Sequence, residues 1–327
     1  MPVLSGRDPA AVRRAAALLA AGELVAFATE TVYGLGARAD DDAAVARIYA
    51  AKGRPTGHPL IVHVADVAAA EAFAAHLDGV ARRLMAAFWP GPLTLIVPRR
   101  PGRGVAAAGG QNSIGLRLPA HPVALALLRE AAALGVAGVA APSANRFGRV
   151  SPTLAAHVVQ EFGPALAVLD GGACDVGIES TIVDCTAAQP ALLRPGQLGR
   201  ARIEAVLGGP LAAPGAHSPR APGTLASHYA PTAPVHVFPP SAPPWRAASA
   251  TPPGSGVLGV YSQVAPKAGQ GWVHRAMPVQ ASAVAHELFA VLRDFDTAGV
   301  SAIWVERPPS GPDWDGVRDR LQRAASG

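Results

Sequence analysis

The chain has 327 residues, 50% of them hydrophobic and 16% charged, with a formal net charge of +5 and a pI near 9.8. That composition points to a soluble globular protein long enough for two domains, and the charge favours an anionic ligand, such as a nucleotide or RNA, without naming one. The two cysteines, Cys174 and Cys185, lack metal-ligand spacing, which excludes a zinc site built on them and leaves buried, inert thiols.

Asp8 followed by Pro9 reads as an N-cap and first-turn proline, opening an amphipathic helix that ends near Gly22. Its apolar run, residues 15–21, is too short for a membrane span or a signal peptide, so a cytoplasmic protein is expected. Residues 23–29, 60–65, 93–97, 114–118 and 136–141 look extended, with helical periodicity between them. This alternation predicts an α/β domain with a largely buried mixed sheet over residues 1–207. Residues 208–234 turn to Gly, Pro, Ala, Ser and His and read as a linker. Strands at 235–238, 256–260 and 301–305, with helices at 282–298 and 314–325, predict a smaller α/β domain over 235–327. Within it, residues 239–255 are Pro/Ser/Ala-rich and read as an irregular loop.

Only two of the 28 basic residues are lysines, Lys52 and Lys267, so arginine is used almost everywhere a cation will do. Lys52 precedes Gly53 and Arg54 at the end of a helical stretch begun by Asp40 to Asp42. That suits a helix C-terminus, and equally a phosphate clamp in which lysine supplies a compact charge and arginine a bidentate fork. Upstream, residues 29–36 run from a strand into polar residues and two glycines, and Gly34-x-Gly36-x-x-Ala39 matches a dinucleotide fingerprint. Three aspartates opening the next helix would repel a pyrophosphate there, and no P-loop or kinase signature occurs. Ser113 to Arg117, Pro142 to Asn145 and Glu179 to Asp184 each place small hydroxyl or amide groups at strand ends.

In order, the chain carries T-E-T-V-Y-G-L-G, K-G-R-P-x-x-x-P-L, P-G-P-L-T-L-I, G-L-R-L-P, A-P-S-A-N, E-S-T-I-V-D and L-R-P-G, and later H-Y-A-P. This set resembles the YrdC-type threonylcarbamoyl-AMP synthases in their longer two-domain branch. The resemblance implies a YrdC-like twisted mixed sheet with flanking helices, followed by a small Rossmann-like α/β domain. It implies synthesis of threonylcarbamoyl-AMP from L-threonine, bicarbonate and ATP with release of pyrophosphate, for transfer onto tRNA by separate machinery. It leaves direct tRNA binding open. Magnesium would come with ATP, and no tightly held protein-ligated metal is expected.

Carried over by motif, Thr31, His63, Arg117, Ala141 and Ser180 would hold threonine. Lys52, Arg54, His58, Ser113, Ser143, Asn145, Ser151 and Arg194 would hold ATP, with Lys52 and Arg54 as the catalytic candidates. The linker would close as a lid, bringing Tyr229 to ATP. His58 stands where asparagine is common in the family, and residues 221–227 lack the usual lysines. A non-catalytic RNA-binding module also suits the pI, but there is no aromatic-rich RNA-binding strand and no basic run to support it. Carbamoyl transfer in hydrogenase maturation, the setting of a related domain, would bring zinc-finger cysteine pairs that this chain lacks.

Overall fold

A computed structural model describes residues 3–225, 228–243, 245, 256–266 and 271–326. The chain divides into two compact units, residues 1–147 with 151–224, and residues 148–150 with 225–327. Ala226 and Ser227 of the expected linker, and residues 244 and 246–255 of the expected irregular loop, lie outside the described residues.

The N-terminal unit runs β1 (Val3–Ser5), α1 (Pro9–Ala20), β2 (Val25–Phe27), β3 (Gly34–Arg38), α2 (Asp42–Lys52), β4 (Ile61–His63), α3 (Val67–Glu71), α4 (Gly79–Phe88), β5 (Leu93–Pro98), β6 (Ser113–Arg117), α5 (Pro122–Ala133), β7 (Val139–Ala140), α6 (Ala155–Phe162), β8 (Ala167–Asp170), β9 (Thr181–Asp184), β10 (Ala191–Arg194) and α7 (Arg200–Leu207). Asp8 caps α1 by accepting from Ala10 N, and Asp41 caps α2 by accepting from Ala43 and Ala44 N. Glycine ends α2: Gly53 sits at φ 64°, a left-handed conformation that costs glycine little.

Ten strands form one mixed sheet in the order β1-β8-β2-β3-β7-β4-β6-β5-β9-β10. Side chains alternate between its faces, so register decides what each face carries. Leu60, Val62, Leu95, Ile114, Leu116 and Val183 point to one face, where they pack with Val45 and Ile48 of α2, Leu84 of α4, Val158 of α6 and Ile203 of α7. On the other face, Val25, Phe27 and Val139 are covered by Val12, Ala15 and Leu19 of α1 and by Leu127 and Leu128 of α5. Those two helices roof only the β1-to-β7 half.

Over the remaining strands the second face is apolar at Ile61, Ile96 and Ile182, against which Ala212 and Ala221 pack. Residues 208–224 stay with this unit. Leu192 N donates to Ala212 O at 3.1 Å, and Arg220 and Gln111 exchange bonds of 2.8 and 3.1 Å.

Two expectations change here. The Gly34-x-Gly36 pair is strand β3 itself rather than a phosphate-binding turn. A Cβ at Gly36 would come within 2.8 Å of the Phe27 ring and 2.9 Å of Val139, so glycine there serves close packing of the sheet. The expected strand over 136–141 shortens to Val139–Ala140: Val136 N still donates to Ala131 O at the end of α5, and at Gly138 and Ala141 only single bonds extend the ladders, to Ala39 N and Ile61 O.

The C-terminal unit contains β11 (Val235–Phe238), β12 (Leu258–Ser262), β13 (Trp272–Ala276), α8 (Ala281–Thr297), β14 (Ala302–Glu306) and α9 (Asp315–Ala324). Among the described residues its four strands are all parallel, in the order β11-β14-β12-β13. Helix α8 lies close on one face: a Cβ at Gly259 would meet the Phe295 ring at 2.8 Å, and Tyr261 donates to Glu287 at 2.8 Å. Strand β13 was missed from sequence; it opens on Trp272 and continues through His274 and Arg275, a polar and half-exposed pattern unlike a buried parallel strand.

Candidate active site

The half of the sheet that α1 and α5 do not cover, where residues 208–224 pack instead, gathers most of the polar candidates. Strands β4 and β6 pair in parallel with His63 opposite Arg117, so both project from the same face. Both are buried, at 3% exposure each. A turn between β2 and β3 brings Thr31 to them. Thr29 Oγ1 donates to Val32 O at 2.7 Å and accepts from the Thr31 and Val32 amides, which fixes the turn. Arg117 then donates Nη1 to Thr31 Oγ1 at 2.9 Å and Nε to Gly91 O at 3.3 Å. Its Nη2 lies 2.7 Å from Glu30 Oε1, an ion pair rather than a well-directed hydrogen bond. Burial, the largest single effect, would raise the Glu30 carboxyl, but the Arg117 charge and hydrogen bonding from Arg117 and the backbone together hold the group below its usual value. Burial, reinforced by Arg117, pushes His63 down to about 3, so its imidazole is neutral at physiological pH. The His63 ring meets Phe27 edge-on at 6.2 Å, and its Nδ1 is buried without a hydrogen-bond partner. Ala141 closes this side, its amide bonded to Ile61 O at 2.9 Å.

Next along the sheet, Ser180 precedes β9, and its Oγ lies 2.8 Å from Thr94 Oγ1 of β5. Arg194, at the end of β10, donates Nη2 to Ser180 Oγ at 3.2 Å and Nε to Ser180 O at 3.1 Å. Its Nη1 donates to Pro222 O of the connecting segment at 2.9 Å. Between Thr94 and that segment lies a small, mostly apolar cleft lined by Thr94, Ile96, Gln111, Ser113, Gly115 and Arg220 among others.

Lys52 ends α2 and is buried, donating Nζ to Ser143 O at 2.6 Å and to Asn145 O. Burial and the neighbouring Arg54 push its ammonium well below the ordinary lysine value, with Glu161 and Glu179 opposing. The helix-terminus reading of this residue holds, and the structure adds that the side chain is buried. Arg54 donates to Pro59 O at 2.9 Å and lies 5.5 Å from the Phe147 ring, which His58 also meets edge-on at 5.5 Å. Ser151 donates to Glu179 Oε1.

Thr31, His63, Ala141, Arg117 and Ser180 are thus brought together, with Arg194 on the same ladder and Ser113 on the adjoining cleft. Lys52, Ser143 and Asn145 form one hydrogen-bonded group, and Arg54 with His58 another. Tyr229 is not among them. It belongs to the C-terminal unit, 1% exposed, stacked on Phe289 at 5.4 Å with Arg320 over its ring at 5.3 Å. Sequence reasoning passed over Glu30, Thr94 and Glu179, although each lies inside a quoted motif; strand register places Thr94, and the contacts to Arg117 and Ser151 place Glu30 and Glu179. Cys174 and Cys185 are buried free thiols pushed up by burial, far from reactivity.

A family profile described as "Telomere recombination", covering Sua5, YciO and YrdC, matches residues 17–196, and one described as "Threonylcarbamoyl-AMP synthase, C-terminal domain" matches residues 198–326. The threonylcarbamoyl-AMP synthase of Bacillus subtilis is 40% identical over 99% of this chain and 95% of its own length. That of Schizosaccharomyces pombe is 33% identical over 92% and 85%. The crystal structure of Pyrococcus abyssi Sua5 complexed with L-threonine superposes with a TM-score of 0.88 at 36% identity, covering 97% of this chain and 95% of that one. With both profiles matched in order and these relatives aligned over most of their length, the chain belongs to the threonylcarbamoyl-AMP synthase family in its two-domain form.

Proposed function

We propose that the protein condenses L-threonine, bicarbonate and ATP into threonylcarbamoyl-AMP and pyrophosphate, an activated intermediate that separate machinery transfers to an adenosine of tRNA. One observation carries this reading: Arg117, Thr94, Ser180 and Arg194 line up on the face of the sheet that α1 and α5 leave to residues 208–224, with the buried Lys52 in electrostatic reach of Glu179 next to Ser180. The threonine complex of the P. abyssi relative supports an amino-acid site in this fold.

The threonine carboxylate pairs with the Arg117 fork, while Thr31, Ser180 and the neutral His63 bind its remaining polar groups. A neutral imidazole supplies hydrogen bonding there without adding a third charge beside Arg117 and Glu30. The amine nitrogen bonds to the bicarbonate carbon, releasing water and one proton to solvent and leaving a carbamate. A carbamate oxygen then bonds to the α-phosphorus as the bond to pyrophosphate breaks. This step needs positioning and positive charge more than a covalent nucleophile. Lys52, Arg54 and Arg194 supply that charge, and incoming phosphates stabilise the ammonium that burial disfavours.

Magnesium accompanying ATP would find Glu179 close to this group, where it binds Ser151 and, with Glu161, acts electrostatically on Lys52. Magnesium keeps several waters and binds largely through substrate phosphates, which suits so sparse a donor set. Bound there, it would neutralise charge on the departing pyrophosphate.

Pyrophosphate release is measured with each of the three substrates omitted in turn. Release only when all three are present is expected; release without threonine would overturn the reading.

A further inference from the structure

We infer that Glu30 is a further catalytic residue of this site: its carboxylate receives the α-ammonium of threonine and takes the proton that the nitrogen must lose before it attacks bicarbonate. This rests on the synthase reading and deepens it by naming a base. Glu30 precedes Thr31 in the chain and lies 2.7 Å from Arg117, inside the group assigned to threonine, and is only 6% exposed. Both of its carboxylate oxygens, Arg117 Nη2 and His63 Nδ1 are buried with no well-directed hydrogen-bond partner among the described residues. The backbone N–H groups of Glu30 and Ala120 act on the carboxylate least of all its surroundings. Folded interiors pair nearly all such atoms, so unpaired atoms of one donor and two acceptor side chains gathered in one group mark where a polar ligand is met.

Charge complementarity assigns the ends of that ligand. Threonine carries a carboxylate and an ammonium on one carbon, and Arg117 and Glu30 present opposite charges side by side. A substrate carboxylate on the guanidinium therefore brings its ammonium to Glu30. Thr31 and Ser180 are uncharged, and His63 is neutral, which leaves Glu30 as the anion among the residues around Arg117.

The chemistry needs an acceptor at this place, because only the unprotonated amine has an electron pair to bond to carbon. In the free protein the Arg117 charge keeps Glu30 acidic against the opposing effect of burial. Once the threonine carboxylate shares that guanidinium, burial gains the upper hand and the carboxylate becomes more basic. His63 does not respond in this way, since burial is the first cause of its low value and a bound substrate deepens it. Transfer of a proton from the ammonium to Glu30 converts a desolvated ion pair into two neutral groups, which a low-dielectric site favours. The amine then bonds to the bicarbonate carbon, and a second nitrogen proton leaves with the bicarbonate hydroxyl as water. The carbamate keeps one N–H, and Glu30 returns its proton to solvent.

The test is a binding cycle. L-threonine and 3-hydroxybutanoate, which lacks only the amine, are titrated calorimetrically at pH 7, without ATP, into the wild type and Glu30→Gln, with folding checked by circular dichroism. Loss of the amine should weaken binding to the wild type about tenfold more than to Glu30→Gln, as expected for one hydrogen bond between charged groups. Any general loosening of the site affects both ligands and cancels from this ratio, so equal losses in the two proteins overturn the contact. If Glu30→Gln does not fold, Glu30→Asp carries the same criterion, its shorter carboxylate lowering the preference for the amine. With all three substrates saturating, Glu30→Gln should release pyrophosphate at least about 100-fold more slowly than the wild type. A near wild-type rate overturns the base. A wild type that releases pyrophosphate without threonine overturns the synthase reading itself; a wild type that needs all three substrates, with Glu30→Gln equally selective for the amine, overturns only the role of Glu30.

Discussion

Arg117 and Glu30 form a buried ion pair, 2.7 Å between Nη2 and Oε1, with side chains 4% and 8% exposed. Removing one member leaves the other charged and desolvated, so Arg117→Ala should cost about 3–5 kcal/mol of stability at pH 7, read from the urea midpoint. Glu30→Gln keeps the shape and should cost less. The pH dependence has a definite sign. The Glu30 carboxyl is held below its ordinary 4.5, so its contribution is present above that value and is lost as pH falls through the folded-state value. The stability gap between wild type and Glu30→Gln should therefore close on acidification; a gap that widens would refute the assignment.

His63 predicts a second window. Its folded-state value, about 3, lies below the ordinary 6.5, so the unfolded chain takes up a proton between these values and the folded chain does not. The wild type should lose stability as pH falls from about 6.5 toward 3, on account of this residue. His63→Asn should flatten that part of the melting-temperature profile and raise half-saturating threonine. A profile with unchanged slope would mean that His63 protonates freely.

Much of this was legible before the structure. The helix at Asp8-Pro9 and the strands around 61–63, 93–98 and 113–117 follow from caps and apolar runs, which are local signals. What local signals do not carry is register. Thr94 sits in an apolar strand and looks like any β-branched core residue until pairing places it between Arg117 and Ser180. Glu30 looks like a solvated acid until Arg117 meets it from a strand 87 positions away in sequence. Tyr229 is also placed by packing that no local pattern carries: its ring lies within the C-terminal unit, stacked on Phe289 with Arg320 over it.

Lys52 is the residue for which stability and function should part. Burial disfavours its charge in the folded protein, so carrying that charge lowers stability at neutral pH, and the penalty is relieved as pH rises toward the ordinary lysine value of 10.5. Lys52→Met, similar in length and uncharged, should abolish turnover while holding or raising the melting temperature at pH 7, with the difference shrinking by pH 10. Retained turnover would remove Lys52 from the mechanism. A melting temperature that falls at pH 7 would mean that its bonds to Ser143 O and Asn145 O outweigh the desolvation.

Gly36 couples sheet packing to the threonine side of the site. An added Cβ would press on Phe27 Cε1 at 2.8 Å, on Val139 Cγ1 at 2.9 Å and on Val25 O at 3.1 Å, and the last, being backbone, yields least. Overpacking of this kind costs about 1–3 kcal/mol. Phe27 cannot move alone, because its ring meets His63 edge-on. Gly36→Ala should therefore lower the melting temperature and raise half-saturating threonine together, leaving the ATP value near wild type. Phe27→Leu in the same chain makes room for the new methyl, so the double variant should be less destabilised than the sum of the two single changes. Additive losses would show that the strain is absorbed elsewhere, at Val139 or the β2 backbone, and that the ring does not transmit it to His63.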